Sequence, residues 1–146
     1  IYGATGAVGV AAVQIAKYHG STVTAVCSEE GEGVARRIGA DKVILYTKED
    51  FTKNGEKYDI IFDAVGKKPK KECVGSLEKD GIYVSVAGFD VAAETREQLE
   101  FLKKLFEDKR YQAVIDKTYN LDDMVQAHRY VDGGRKKGNI VIKVKS

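Results

Sequence analysis

The sequence has 146 residues, 43% hydrophobic and 32% charged, with a formal net charge of +2, one Pro and no Trp. That length gives one domain, large enough to bury roughly 68–70% of the surface its unfolded chain exposes. The near-balanced charge leaves no electrostatic footprint for nucleic acid or a membrane surface. No apolar run reaches the ~18 residues a membrane span needs, and no signal-peptide pattern is visible.

The chain opens on Ile1-Tyr2 and then Gly3-Ala4-Thr5-Gly6-Ala7-Val8-Gly9, which reads as a strand end running into a glycine-rich turn and a helix. Small residues let a backbone come close to a ligand, and the first turn of a helix points unpaired N–H groups and a positive dipole end outward. The spacing is G-x-x-G-x-x-G, a weak fingerprint alone. Its context, a strand before and an apolar helix over Ala7–Tyr18 after, makes it a candidate pyrophosphate cradle formed by Thr5, Gly6, Ala7 and Val8. Since Ile1-Tyr2 is too short for a central strand, the chain is expected to be a piece of a longer protein that begins inside an element.

Farther along, strands alternate with helices. Residues 22–26 (TVTAV) are β-branched and predict a second strand. Ser28 is placed to cap a helix that runs to Ile38 and stops at Gly39, with Glu29 and Glu30 in its first turn. Strands are predicted over 43–46, 59–65 and 82–87, with a helix from Pro69 to about Glu78 between the last two. An amphipathic helix over 97–107 carries Leu99, Leu102, Leu105 and Phe106. A short strand at 113–116, a helix over 121–131 and a closing strand at 139–144 complete the pattern. Such alternation predicts an α/β fold, a doubly wound parallel sheet of Rossmann type. The basic runs at 67–71 and 135–137 read as solvated loops.

In such sheets ligands bind beyond the carboxyl ends of the strands. That rule nominates the glycine turn, Cys27-Ser28, Tyr46, Val65-Gly66 and Ala87-Gly88. An Asp or Glu at the end of the second strand would accept from a ribose 2′-OH; Cys27 and Ser28 stand there instead. Ser28, with Tyr46 on the neighbouring strand, therefore favours a 2′-phosphate and NADPH over NADH, although the adjacent Glu29 and Glu30 oppose it. His19 is expected at the surface, and His128 is expected to face the core with Leu121, Met124 and Val125. Asp63 reads either as packed or as orienting a loop. No residue qualifies as catalytic, and no metal ligands are expected. Neither Y-x-x-x-K nor G-K-[ST] occurs. Cys27 and Cys73 make neither a disulfide framework nor a metal knuckle, so a reducing, cytoplasmic setting is expected.

Residues 2–17, 23–28, 38–51 and 58–66, with 114–131 and 136–142, resemble the cofactor half of medium-chain dehydrogenase/reductases. The similarity is to the zinc-independent quinone oxidoreductase and alkenal reductase type. The resemblance implies a fragment of a two-domain enzyme: a dinucleotide-binding domain over 1–146, of which residues 113–146 partly belong with a missing N-terminal catalytic domain. It also implies NADPH-dependent hydride transfer to a quinone or an α,β-unsaturated carbonyl. By resemblance, Ala7 and Val8 meet the pyrophosphate, Ser28 and Tyr46 the 2′-phosphate, Val65, Gly66 and Ala87 the nicotinamide side, and Asn139 the nicotinamide ribose. Gly31 replaces a Lys often found there, and the link after Gly88 is short, which weakens the dimer implied by the family. Two other readings stay open: the cofactor domain of a zinc-dependent alcohol dehydrogenase, and a non-catalytic nucleotide-sensing module. The half-cleft alone is expected to turn over negligibly.

Overall fold

The computed structural model describes residues 1–88 and 94–145. Ile1 and Tyr2, though only two residues, lie at the centre of a parallel sheet and are hydrogen-bonded on both sides. The Val26 N–H donates to the Ile1 carbonyl (2.9 Å), and the Gly3 N–H donates back to the Val26 carbonyl (2.9 Å). On the other side the Tyr2 N–H donates to Phe62 (2.8 Å), and the Ala64 N–H donates to Tyr2 (3.0 Å).

Outward from this pair run β1 (Thr24–Cys27) and β2 (Lys42–Leu45) on one flank, and β3 (Tyr58–Asp63) and β4 (Leu77–Ser85) on the other. All neighbours are parallel: Ala25 faces Val43, Ile61 faces Tyr83, and Tyr2 bridges both Val26 and Asp63. Counting Ile1-Tyr2 as the first strand, the order is third, second, first, fourth, fifth. That is the doubly wound arrangement, with the order reversing beside Tyr2. A second parallel pair, β5 (Ile115–Asn120) and β6 (Asn139–Lys143), forms its own small sheet.

Alternation along β1 supplies both faces of the core, as a strand covered on each side requires. Ala25 and Cys27 join Val10, Val13, Ala35, Ile38 and Val114 under α1 (Ala7–Tyr18) and α2 (Glu32–Arg37). Val26 points the other way, into Ile44, Phe51, Ile61 and Cys73. Burial pushes the thiols of both Cys27 and Cys73 up, as expected of small apolar fillers.

Several elements differ from the sequence expectation. α1, although apolar along most of its length, is buried along one stripe only (Gly9, Val10, Val13, Gln14). The segment from Ser28 begins as a 3₁₀ turn over Glu29–Gly31, and the Ser28 side chain makes no capping bond. The helix after Pro69 is a single turn, α3 (Lys70–Cys73), ending in a 3₁₀ turn over Val74–Ser76. β4 therefore starts early, at Leu77 opposite Tyr58, and a bulge carries the chain on to the Ile60–Ile82 pair. Gly81 permits this, since a Cβ there would sit 3.0 Å from the Tyr58 carbonyl oxygen.

α4 (Arg96–Glu107) carries a capping box: the Thr95 hydroxyl accepts from the Gln98 N–H and Gln98 Oε1 accepts from the Thr95 N–H, both at 3.2 Å. Of its apolar face only Leu105 is buried; Leu99 and Phe106 are exposed. Phe101 packs instead against Tyr18 and His19, which stays exposed as expected. On α5 (Met124–Asp132) the buried residue is Ala127. His128 is exposed, which corrects its expected core-facing position; with only nine residues α5 turns a single small side chain inward. No helix of the described residues is long and apolar enough to cross a membrane.

Candidate functional site

Three contacts build the turn after Tyr2. Gly3 has φ of +75°, a conformation that favours glycine, and a Cβ there would stand 2.7 Å from Cγ1 of Val65. Its carbonyl accepts from the Gly6 N–H (3.1 Å), closing the turn. Gly9, one helical turn on, lies so close beneath that a Cβ would fall 2.1 Å from the Gly3 oxygen and 2.6 Å from the Ala4 carbonyl carbon. The three glycines thus serve three different needs: backbone conformation, the helix N-cap, and close approach of helix to turn.

At Gly6 the backbone is extended and α1 begins. The helix ladder starts with the Val10 N–H donating to the Gly6 carbonyl (2.9 Å). The N–H groups of Ala7 and Val8 precede that first bond and have no acceptor among the described residues, as at any helix start. Val8 is 47% exposed and Ala7 half-buried. A twelve-residue helix without an acidic residue in its first turn therefore aims its positive end at open space. The Thr5 side chain is placed differently from a phosphate contact. It is buried, and its Oγ1 would lie 2.6 Å from a Cβ at Gly31, so Thr5 and Gly31 lock the turn to the segment after β1. This gives Gly31 a packing role. The Thr5 carbonyl accepts from the Gly138 N–H (2.7 Å), which brings Asn139, exposed, beside the turn.

On the β3–β4 side, Val65, Gly66 and Ala87 form a row. Val65 packs on Gly3, and Gly66 faces Ala87, whose Cβ would be 3.0 Å from a Cβ at Gly66. The row is held by Asp63, 1% exposed at the end of β3. Its Oδ1 accepts from the N–H groups of Val65 (3.1 Å) and Gly66 (2.9 Å), and its Oδ2 from that of Lys68 (2.8 Å). Asp63 thus orients the loop, one of its two sequence readings. The loop's far end is pinned by the Tyr83 hydroxyl donating to the Lys68 carbonyl (2.7 Å) and by Lys68 Nζ paired with Asp50 and Glu72.

On the β1–β2 side, the Tyr46 N–H donates to the Cys27 carbonyl (3.1 Å), which sets Ser28 and the half-exposed Tyr46 at adjoining strand ends. The Ser28 hydroxyl holds the Glu30 carboxyl below the usual carboxylate range, and the charges of Lys137 and Arg135 act in the same direction. Lys137 also acts on Cys27. The basic run at 135–137 therefore lies by the end of β1, although it reads as a solvated loop in the sequence. Long-range contacts bring it there, those of Gly138 with Thr5 (2.7 Å), Lys137 with Asp116 (3.0 Å) and Asn139 with Val114 (2.8 Å), and nothing local in the sequence announces them. Nine of the ten candidate residues follow the carboxyl ends of the main sheet's strands, and Asn139, at the start of β6, lies beside the glycine turn. They form an open shelf with the glycine turn at its centre, Ser28 and Tyr46 on one wing, and Val65, Gly66 and Ala87 on the other. Among the described residues no group of three or more His, Cys, Asp or Glu is arranged to hold a metal ion.

Residues 7–115 match the family model described as zinc-binding dehydrogenase, and residues 89–142 match a second model of the same description. The chain is 32% identical over 151 aligned residues to the 2-methylene-furan-3-one reductase of Solanum lycopersicum, covering 97% of this chain and 39% of the relative. It is 29% identical to the chloroplastic NADPH-dependent alkenal/one oxidoreductase of Arabidopsis thaliana, covering 94% and 38%. Among solved structures, the quinone oxidoreductase from Coxiella burnetii superposes with a TM-score of 0.90 at 26% identity, covering 99% of this chain and 51% of that one. The chain thus spans about half, or less, of the length of these relatives. With a family model matched over most of its residues, the chain belongs to the zinc-binding dehydrogenase family.

Proposed function

We propose that this chain is the dinucleotide-binding half of an NADPH-dependent oxidoreductase that passes hydride to a quinone or to the double bond of an α,β-unsaturated carbonyl. The observation that carries this reading is the start of α1. Unpaired amides of Ala7 and Val8 face open space where the strand order reverses, over a turn too tight for any side chain at Gly9. Such a place suits a diphosphate. The names of the relatives above, two reductases of conjugated carbonyl compounds and a quinone oxidoreductase, support the substrate class.

The bound cofactor would supply the hydride at its nicotinamide ring. This chain's residues would bind and orient. Gly6, Ala7 and Val8 would hold the diphosphate, and Asn139 would stand by the nicotinamide ribose. Val65, Gly66 and Ala87 would give the ring a small, apolar backing fixed by Asp63. Ser28 and Tyr46 would meet a 2′-phosphate, and Arg135 and Lys137 add the positive charge that Gly31 fails to provide. Thr5 would act through its packing on Gly31. The β5–β6 pair, separate from the main sheet, would join a second half that covers the shelf and excludes water. Such a protein would work where NADPH is held reduced, in the cytoplasm on our reading, and as a homodimer if β4, at the edge of the sheet, finds a symmetric partner.

Titration of the intact protein with both cofactors tests the 2′-phosphate assignment. NADPH is expected to bind at least tenfold tighter than NADH, and Arg135→Gln with Lys137→Gln is expected to erase most of that preference while leaving NADH affinity unchanged. Tighter binding of NADH by the unaltered protein would reverse the assignment.

A further inference from the structure

At the far end of α1 from the glycine turn, roughly 18 Å away along a twelve-residue helix, lies a cleft of about 700 Å³. The ends of three helices meet there. α1 contributes Tyr18, α2 contributes Arg37, and the segment after α4 contributes Lys109, Arg110 and Tyr111. Its floor is rigid. Buried Gln14 donates from Nε2 to the Gln112 carbonyl (3.1 Å) and accepts at Oε1 from the Gln112 N–H (2.8 Å). Gln112 Nε2 in turn donates to the Arg37 carbonyl (3.3 Å).

Lys109 has φ of +55°, the one positive value at a non-glycine residue among the described residues, and a conformation that bulky side chains seldom adopt. The Arg110 and Tyr111 N–H groups then both fold back onto the Leu105 carbonyl (2.9 and 3.1 Å). That bend lays the Arg110 guanidinium over the Tyr18 ring, 5.6 Å from its centroid, and leaves the Tyr111 ring 4.9 Å from that of Phe106.

Cations at helix C-termini complement the helix dipole, which explains each of these on its own helix. It does not explain why three helix ends bring them to one cleft beside three aromatic rings. Lys17, also on the wall, is matched by Asp41 at 2.8 Å. Arg37, Lys109 and Arg110 form no ion pair among the described residues, and no carboxylate lines the cleft. The carbonyls that would repel an anion are partly tied off, with Lys17 accepting from the Gly20 N–H, Arg36 from Gly39 and Phe106 from Lys109.

We propose that this cleft binds an organic polyphosphate carrying a planar ring, of the nucleoside triphosphate kind, at a second site separate from the dinucleotide shelf. The phosphates would lie on Arg37, Lys109 and Arg110, and the ring against Tyr111 and Phe106. A guanidinium placed over the Tyr18 ring keeps its N–H fork available for paired contact with phosphate oxygens. The volume falls in the range of roughly 300–1,000 Å³ usual for small-molecule sites.

Calorimetric titration of the intact protein with ATP, in saturating NADPH so that the shelf is not available, tests the proposal. One ATP per chain is expected, weakened at least tenfold by the double substitution Arg37→Gln, Arg110→Gln and at least threefold by Tyr111→Ala. Inorganic tripolyphosphate is expected to bind at least threefold more weakly than ATP. Both arginines are exposed, so the double variant keeps the unaltered protein's melting temperature and NADPH affinity. Absence of ATP binding, binding indifferent to the double substitution, or tripolyphosphate binding as tightly as ATP would each overturn it.

Discussion

Gly9→Ala is expected to destabilise the protein by about 3 kcal/mol, the upper part of the usual range for overpacking, and to weaken NADPH binding at least tenfold. The added methyl carbon would lie 2.1 Å from the Gly3 oxygen and 2.7 Å from the Ala4 Cα. These are backbone atoms in a turn already fixed by Val65 from above and by hydrogen bonds to Val26, so no flexible side chain can yield. The helix must lift, and its first amides lift with it. Gly33→Ala is the control, because a methyl there meets nothing within 4 Å. It should leave binding unchanged and stability the same or higher by about 0.5 kcal/mol, since alanine restricts the unfolded chain. Denaturant unfolding and NADPH titration of the two variants check both outcomes.

Asp63→Ala is the second large effect. Its carboxylate is 1% exposed and accepts three backbone N–H groups, those of Val65, Gly66 and Lys68. Hydrogen bonds to a charged acceptor contribute about 1.5–3 kcal/mol each, and a donor left unpaired in the interior costs its desolvation. Partial rearrangement of the loop keeps the sum below three independent bonds, so the expected loss is about 3–5 kcal/mol. Asp63→Asn keeps the shape but turns one acceptor into a donor facing N–H groups, and should lose roughly half as much. Because Val65 packs on Gly3, both variants should also weaken NADPH binding, with Asp63→Ala the weaker. Equal stability of the alanine variant and the unaltered protein in urea would show that the loop does not depend on this carboxylate.

The apolar strand at 24–27, the helix from Ala7 and the turn at Gly3–Gly9 were legible because local pattern and tertiary role agree there. Even Ile1-Tyr2, too short to read as a strand, was recognisable by what followed it. The shortened α3 and the early β4 were not legible. Glu78, Lys79 and Asp80 look like a helix end, and only the pairing of Leu77 with Tyr58 makes them part of a bulged strand. β5 (Ile115–Asn120) runs later than the strand that the sequence predicts at 113–116, for a similar reason. Asp116, Lys117 and Asn120 carry little strand signal, and the partner strand β6 decides their conformation. The start of α4 is legible locally, since Thr95-Arg96-Glu97-Gln98 is a capping-box pattern that sets the first helical residue at Arg96. Around the site, sequence order found the strand ends. It could not find Arg135 and Lys137, because their place by the end of β1 rests on contacts between residues far apart in the chain, such as Thr5 with Gly138 and Asp116 with Lys137.

The most direct measurement is a titration of the ¹⁵N-labelled intact protein with NADPH, followed through its amide resonances. The largest shifts are expected at Gly6, Ala7, Val8 and Gly9, with smaller ones at Ser28, Tyr46 and Gly66. Saturable binding that leaves the amides at the start of α1 unmoved, or no binding of either nicotinamide cofactor, would contradict the assignment of this helix end to a dinucleotide diphosphate.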